Sequence, residues 1–388
     1  MKRTFKYILP IICTLWCAGC SEENINEVDG PVTEPQENYT SYWYYSHEVL
    51  ETFTFEAMGL AESKEFNPYV VAHRGDTLFI ANIGTAGNSL ILFDKKSNRP
   101  MRTLKTWTFN GQEKSFGSNI NAIVPAGNRL YVAEVGSRIH AFSLPQMEYI
   151  SCIGNGNWWD AVFQAQAVTV KDGLIFARDK DGKVSIYKES DVTPEKYQGV
   201  RRYKQSSKGP GNADNNGFAA HYMQEDGNGR ILLTAYEASS IRVLDPSKVT
   251  DEMKGGESID LDETWVLSFK PKSFALTDNY IYVTGSNDSI TVFNHDRERV
   301  KVLKAIPGFT FTRVDHIYRE SDEVLWVSDY NTRTLVKMGV FKAEIREYET
   351  VDENIVKVQA ARTRSGEVEG ELYVNVRTHQ IVDPAEVE

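Results

Sequence analysis

Residues Leu130 to Leu144 read LYVAEVGSRIHAFSL: two apolar-alternating runs, LYVAE and IHAF, joined by the polar turn Val135-Gly136-Ser137-Arg138. Side chains on a strand alternate between faces, and Gly and Ser tolerate the backbone of a tight turn, so the stretch reads as a β-hairpin. The same signature recurs along the chain: LFIAN from Leu78, LYVAE from Leu130, LIFAR from Leu174, ILLTA from Ile231, IYVTG from Ile281, LWVSD from Leu325 and LYVNV from Leu372. Successive starts are 52, 44, 57, 50, 44 and 47 residues apart, a mean of 49. Each run is followed by a partner: LILF at Leu90, IHAF at Ile139, VSIY at Val184, IRVL at Ile241, ITVF at Ile290, LVKM at Leu335 and IVD at Ile381.

A strand precedes each hairpin, as at Asn121 to Val124, Gln166 to Val170 and His316 to Arg319, and another follows, as at Arg102 to Phe109, Met147 to Ile153, Thr264 to Phe269 and Arg299 to Ile306. Four strands per repeat of this length is the blade of a β-propeller, and no stretch of 3.6-residue periodicity competes. The expectation is an all-β, seven-bladed propeller of four-stranded antiparallel blades over residues 46–388. After Val356 the chain has three strands to offer, while Glu51-Thr52-Phe53-Thr54-Phe55 stands alone near the start, so the N-terminal strand is expected to complete the last blade. The LYVAE-VGSRIHAFSL pattern, with IGNGNWWDAVFQAQAVTV between two blades, resembles the NHL-repeat propellers. Most repeats of that family carry Asp after the second strand. Here Asp329 keeps it, while Asn82, Glu134, Arg178, Ala235, Gly285 and Val376 replace it.

The beginning of the chain speaks to location. Lys2, Arg3 and Lys6 precede an uncharged, mostly apolar run from Tyr7 to Trp16, the order of a secretory signal and too short to span a bilayer. Cys17-Ala18-Gly19-Cys20 resembles the lipobox of bacterial lipoproteins, which implies cleavage after residue 19 and diacylation of Cys20. Ser21-Glu22-Glu23 resembles the surface-export signal of Bacteroidetes lipoproteins, which implies an outer-membrane protein facing the cell exterior. Residues 20–45, acidic and broken by Pro31 and Pro35, read as a flexible tether with a reach on the order of 25–30 Å. With Cys13 and Cys17 removed and Cys20 acylated, only Cys152 remains, so the fold has no disulfide to rely on. Loss of three cations with the signal takes the formal charge from −11 to −14, which disfavours nucleic acid as a partner.

Hairpin parity puts the turn between strands two and three of each blade on the same face as the crossing to the next blade. That face has the long crossings Glu56 to Asn67, Asn110 to Asn119, Gly154 to Gln164 and Lys204 to Ala219. In one of them Trp158, Trp159 and Phe163 stand beside Asn155, Asn157 and Asp160, rings and amides that suit a sugar or a peptide, or else plug the gap between blades. Phe309, Phe311 and Arg313 line another crossing. The repeat also brings Arg178, Asp179, Tyr236, Glu237, Asp329, Tyr330 and Arg377 to the channel mouth, as a binding rim or a self-satisfied ion-pair network.

Motifs of catalysis are missing: the sequence has no HExxH, GxSxG or P-loop. No cofactor is called for. Calcium is the one metal that scattered loops could hold, through Asn82, Glu134, Asp179 and Asp329, as resemblance to the propeller lactonases would imply. Propeller lyases use His and Arg near a metal, and His221 with Arg178 is the nearest pair. The leading expectation is a non-catalytic binding subunit of a TonB-dependent nutrient importer, acting beside the transporter and its lid lipoprotein on a glycan or peptide. The alternatives are a calcium-dependent hydrolase or lyase, and a cobalamin-capturing surface propeller.

Overall fold

The computed structural model describes residues 42–85, 87–156, 164–178, 183–205, 221–252, 263–362, 372–382 and 387. Every repeat from Leu78 to Leu325 forms the expected hairpin. In the second blade Arg138 pairs with Glu134 and Phe142 with Leu130. Five separate four-stranded antiparallel sheets follow one another along the chain, the first made of Pro68–Arg74, Thr77–Asn82, Ser89–Asp94 and Arg99–Leu104. The only helical elements among the described residues are four short 3-10 turns.

A blade is buried on both faces, which is why its second strand is apolar almost throughout. In the first blade Phe79, Ala81, Leu90 and Leu92 pack with Ile123, Leu130 and Val132 of the second. Leu78, Ile80, Ile91 and Phe93 point the other way, against Trp326, Leu335 and Phe53. Such shared cores recur between the second and third, third and fourth, and fourth and fifth blades. Another joins the fifth blade to Ile317, Leu325, Val327, Val336 and Met338. The ring thus closes through a sixth unit made of Val314–Arg319, Val324–Asp329, the first part of Thr334–Thr350 and the N-terminal strand Trp43–Phe53.

The seven-blade expectation is therefore corrected. Five blades stand as separate sheets, and the closing unit is part of a seven-stranded sheet. Strand Thr334–Thr350 runs for 17 residues without a turn, so its second half overshoots the ring. Ile355–Arg362 pairs with that overhang, Leu372–Asn375 with Ile355–Arg362, and Gln380–Val382 with Leu372–Asn375. The LYVNV repeat thus extends the closing sheet and makes no blade of its own. The N-terminal strand does complete a unit, but that of LWVSD: Phe53 pairs with Leu335 and Trp43 with Glu344. It also begins at Trp43, ahead of the expected Glu51. The extension holds the entry of this strand, since Trp43 stacks on His379 at 3.5 Å between centroids and Tyr45 N donates to His379 O.

Phe53 joins the N-terminal strand to the core, 5.2 Å from the ring of Phe93 and 5.5 Å from that of Trp326. Phe53→Ala is expected to destabilise the protein by about 3–5 kcal/mol, seen as a lower urea midpoint with the transition still cooperative. An unchanged midpoint would show that this strand does not hold the ring shut.

Candidate functional site

Each crossing enters an inner strand beside the end of the hairpin's second strand, and exposes backbone N–H groups that need acceptors. Asn82 supplies one, accepting from Asn67 N at 2.7 Å and from Gly84 N while its amide donates to Glu65 O. Glu134 does the same for Gly117 N at 2.8 Å. Asp329 accepts from Thr312 N at 2.6 Å and from Arg313 N and Thr332 N. Burial works against the charged form of Asp329, but these donors hold its carboxyl below the ordinary value. In the fourth blade Thr234 takes over, its hydroxyl accepting from His221 N and Tyr222 N. Asn82, Glu134 and Asp329 thus do one structural job at the same point of their repeats. Gly285 has another reason: a Cβ there would lie 2.8 Å from Lys270 O, so the short crossing needs a glycine.

Asn82, Glu134 and Asp329 are therefore engaged with their own blades. Among the described residues no group of three or more His, Cys, Asp or Glu is arranged to hold a metal ion. Asp179 lies outside the described residues.

At the start of the inner strands a different set converges. Lys272 Nζ lies 2.9 Å from Asp315 Oδ2, and Arg313 Nε lies 3.1 Å from Asp315 Oδ1, with the Asp315 carboxylate fully buried. Lys272 stands over the ring of Tyr69 at 5.0 Å, and the Arg313 guanidinium over Tyr330 at 4.3 Å. Burial pushes the Tyr69 hydroxyl well above its usual range, helped by the charge of Asp315 and, more weakly, by the nearby hydroxyls of Tyr330 and Tyr236, while Arg313 opposes the shift. Burial likewise lowers the Lys272 ammonium, with Asp315 opposing. Tyr236 meets His221 edge-to-face at 5.4 Å and lies under Lys270, whose Nζ is 2.5 Å from Glu237. Arg178 Nη1 donates to Thr234 O across the blade boundary at 2.5 Å. Five units of the ring thus contribute to one tyrosine-rich, ion-paired mouth. Burial first, then the charges of Lys272 and Arg178, push His221 down to about 3, so its imidazole is neutral at neutral pH and is no general acid there.

No protein family matches the chain, and no curated protein does. Solved structures do. The β-propeller domain of Cps50 (Swd1) from Myceliophteria thermophila is 12% identical with a TM-score of 0.50, covering 76% of this chain and 100% of that one. A structural genomics protein of unknown function from Bacteroides thetaiotaomicron VPI-5482 is 11% identical with a TM-score of 0.51, covering 77% of this chain and 76% of its own. The chain has a β-propeller fold. At these identities the likeness carries nothing beyond the fold.

Of the residues expected at the mouth, Arg178, Tyr236 and Tyr330 are there, Glu237 is tied to Lys270, and Asp329 works behind it as a backbone acceptor. Trp158, Trp159, Asp160 and Asp179 lie outside the described residues. Arg377 stands elsewhere, exposed in the turn between Leu372–Asn375 and Gln380–Val382 of the overhanging sheet. Phe311 is buried in the core shared by the fifth blade and the closing unit. Sequence reasoning missed Tyr69, Lys272 and Asp315. The available signal was a charged or phenolic residue opening a first strand that is otherwise apolar.

A second ionised cluster lies inside the second blade. Glu134 Oε1 lies 2.8 Å from Arg138 Nη1 and 3.6 Å from His140 Nε2. Burial alone would lower the His140 imidazole, but the neighbouring Cys152 sulfur and the Glu134 carboxylate outweigh it and raise it to about 9. A raised imidazole stabilises the fold fully below its unfolded value of about 6.5, and that contribution disappears as pH rises through about 9. Unfolding free energy is therefore expected to fall between pH 6.5 and 9 in urea titrations, with a shallower fall in His140→Gln. Equal slopes in the two proteins would contradict this.

Proposed function

We propose that the protein is a cell-surface outer-membrane lipoprotein, anchored through Cys20, that captures a ligand at the mouth of its propeller channel. In this reading it is a non-catalytic accessory subunit of a TonB-dependent nutrient importer, and works beside the transporter and its lid lipoprotein. The observation that supports it most is the mouth itself: Tyr69, Tyr236 and Tyr330 gathered with the Lys272–Asp315–Arg313 ion cluster on one end of the ring. Phenol rings offer an apolar face and a hydroxyl together, a combination suited to glycan or peptide. The lipobox-like Cys17-Ala18-Gly19-Cys20 and the acidic Ser21-Glu22-Glu23 support the location. The acceptors that a calcium site would use, Asn82, Glu134 and Asp329, are occupied by backbone N–H groups, which favours binding over hydrolysis.

The test is affinity capture of the tagged, lipidated protein from detergent-solubilised outer membranes, with mass spectrometry of what comes with it. A TonB-dependent barrel and its lid lipoprotein are expected in stoichiometric amount, and Cys20→Ala is expected to move the protein out of the membrane fraction. Recovery of the protein alone, or a Cys20→Ala variant that stays membrane-bound through detergent-free washing, would count against the proposal.

A further inference from the structure

Arg313 is held from three sides. Its backbone N donates to Asp329 Oδ2 at 3.1 Å, its Nε to Asp315 Oδ1 at 3.1 Å, and its guanidinium lies 4.3 Å from the centroid of Tyr330. These contacts fix the plane of the guanidinium and use only Nε. Its terminal Nη1 and Nη2 have no hydrogen-bond partner among the described residues, and the side chain is 39% exposed. Asp315 does not need this arginine for neutrality, because Lys272 already lies 2.9 Å from its other oxygen. A planar pair of N–H donors, oriented in advance and unspent, is the geometry that meets a carboxylate with two parallel hydrogen bonds.

The surroundings fit a single negative charge. Lys272 is committed to Asp315 and largely buried, so Arg313 is the cation that remains for a ligand in this cluster. A tetrahedral dianion would call for a second one. The Tyr69 and Tyr236 hydroxyls lie in the electrostatic reach of the same cluster, and with burial holding Tyr69 protonated it keeps an O–H to donate. We propose that the mouth recognises a ligand bearing a carboxylate, gripped by the terminal fork of Arg313. This rests on the reading of the mouth as the ligand site and names the chemistry it selects. An acidic sugar and the carboxylate of a peptide share that chemistry.

The experiment is isothermal titration calorimetry on the full mature chain with two matched pairs of probes: trigalacturonate against neutral galactotriose, and the tripeptide Gly-Tyr-Gly as free acid against its C-terminal amide. At least one acid is expected to bind about 10-fold or more tightly than its neutral counterpart, and which pair shows the difference identifies the source. Arg313→Lys, which keeps the charge but loses the fork, is expected to reduce acid binding about 10-fold and leave the neutral probe unchanged. The wild-type acid-to-neutral ratio needs no variant, so the inference stays testable even if Arg313→Lys folds poorly. Equal binding of acid and neutral members, lost together in Tyr236→Ala, would overturn the carboxylate inference and leave the mouth as the ligand site. Binding of none of the four probes would overturn both.

Discussion

Everything in this molecule depends on the antiparallel pairing of Trp43–Phe53 with the strand that starts at Thr334. A ring of blades has no intrinsic end. Without a lock its first and last sheets would meet only through side chains, with an open edge on the closing unit. Pairing the two ends of the domain over some ten residues supplies backbone hydrogen bonds where the ring would otherwise part, and Phe53 carries the same joint into the core between Phe93 and Trp326. Because no disulfide assists among the described residues, where Cys152 is buried as a free thiol, this joint and the inter-blade cores carry the stability.

The closed ring sets the spacing of the inner strands, and the acceptors at the ends of the second strands set how each crossing enters. Asp329 links the two levels. It receives Thr312 N and Arg313 N, and thereby fixes the backbone from which the Arg313 side chain projects. Asp315, two residues further on, lies at the start of the inner strand Val314–Arg319 and pairs with both Arg313 and Lys272 of the neighbouring blade. Buried charges of this kind give little net stability, because desolvation offsets their attraction. Their persistence at the mouth, with a guanidinium left unsaturated, fits a role in recognition better than a role in holding the blades together.

How much of the candidate site could be read in advance varied with distance from the hairpins. Arg178 ends the second strand of its repeat and Tyr236 and Tyr330 immediately follow theirs, so the repeat itself carried them to the mouth. Tyr69 and Asp315 sit on first strands and Lys272 just ahead of one, and those strands have short alternation and carry buried apolar residues such as Val71 and Phe274. A lysine or aspartate there looks like any polar residue near a crossing until the neighbouring blade is brought alongside it. Arg377 went astray for the opposite reason: its repeat looked complete, but the sheet carrying it lies beyond the ring.

The sequence by itself determined the hairpins, the four-strand blade and the fact that the N-terminal strand closes a unit. All of these follow from local alternation and turn chemistry. It could not determine the number of blades. The alternation in LYVNV is the same whether a strand packs within a blade or extends a neighbouring sheet, and what separates the two is whether Thr334–Thr350 turns or runs on. Running straight through, that strand offers one half to the N-terminal strand and the other to Ile355–Arg362, so a choice between long-range partners decided the architecture. The mouth was decided in the same way, because an ion pair between Lys272 and Asp315 exists only after two blades, 43 residues apart in the chain, have packed side by side.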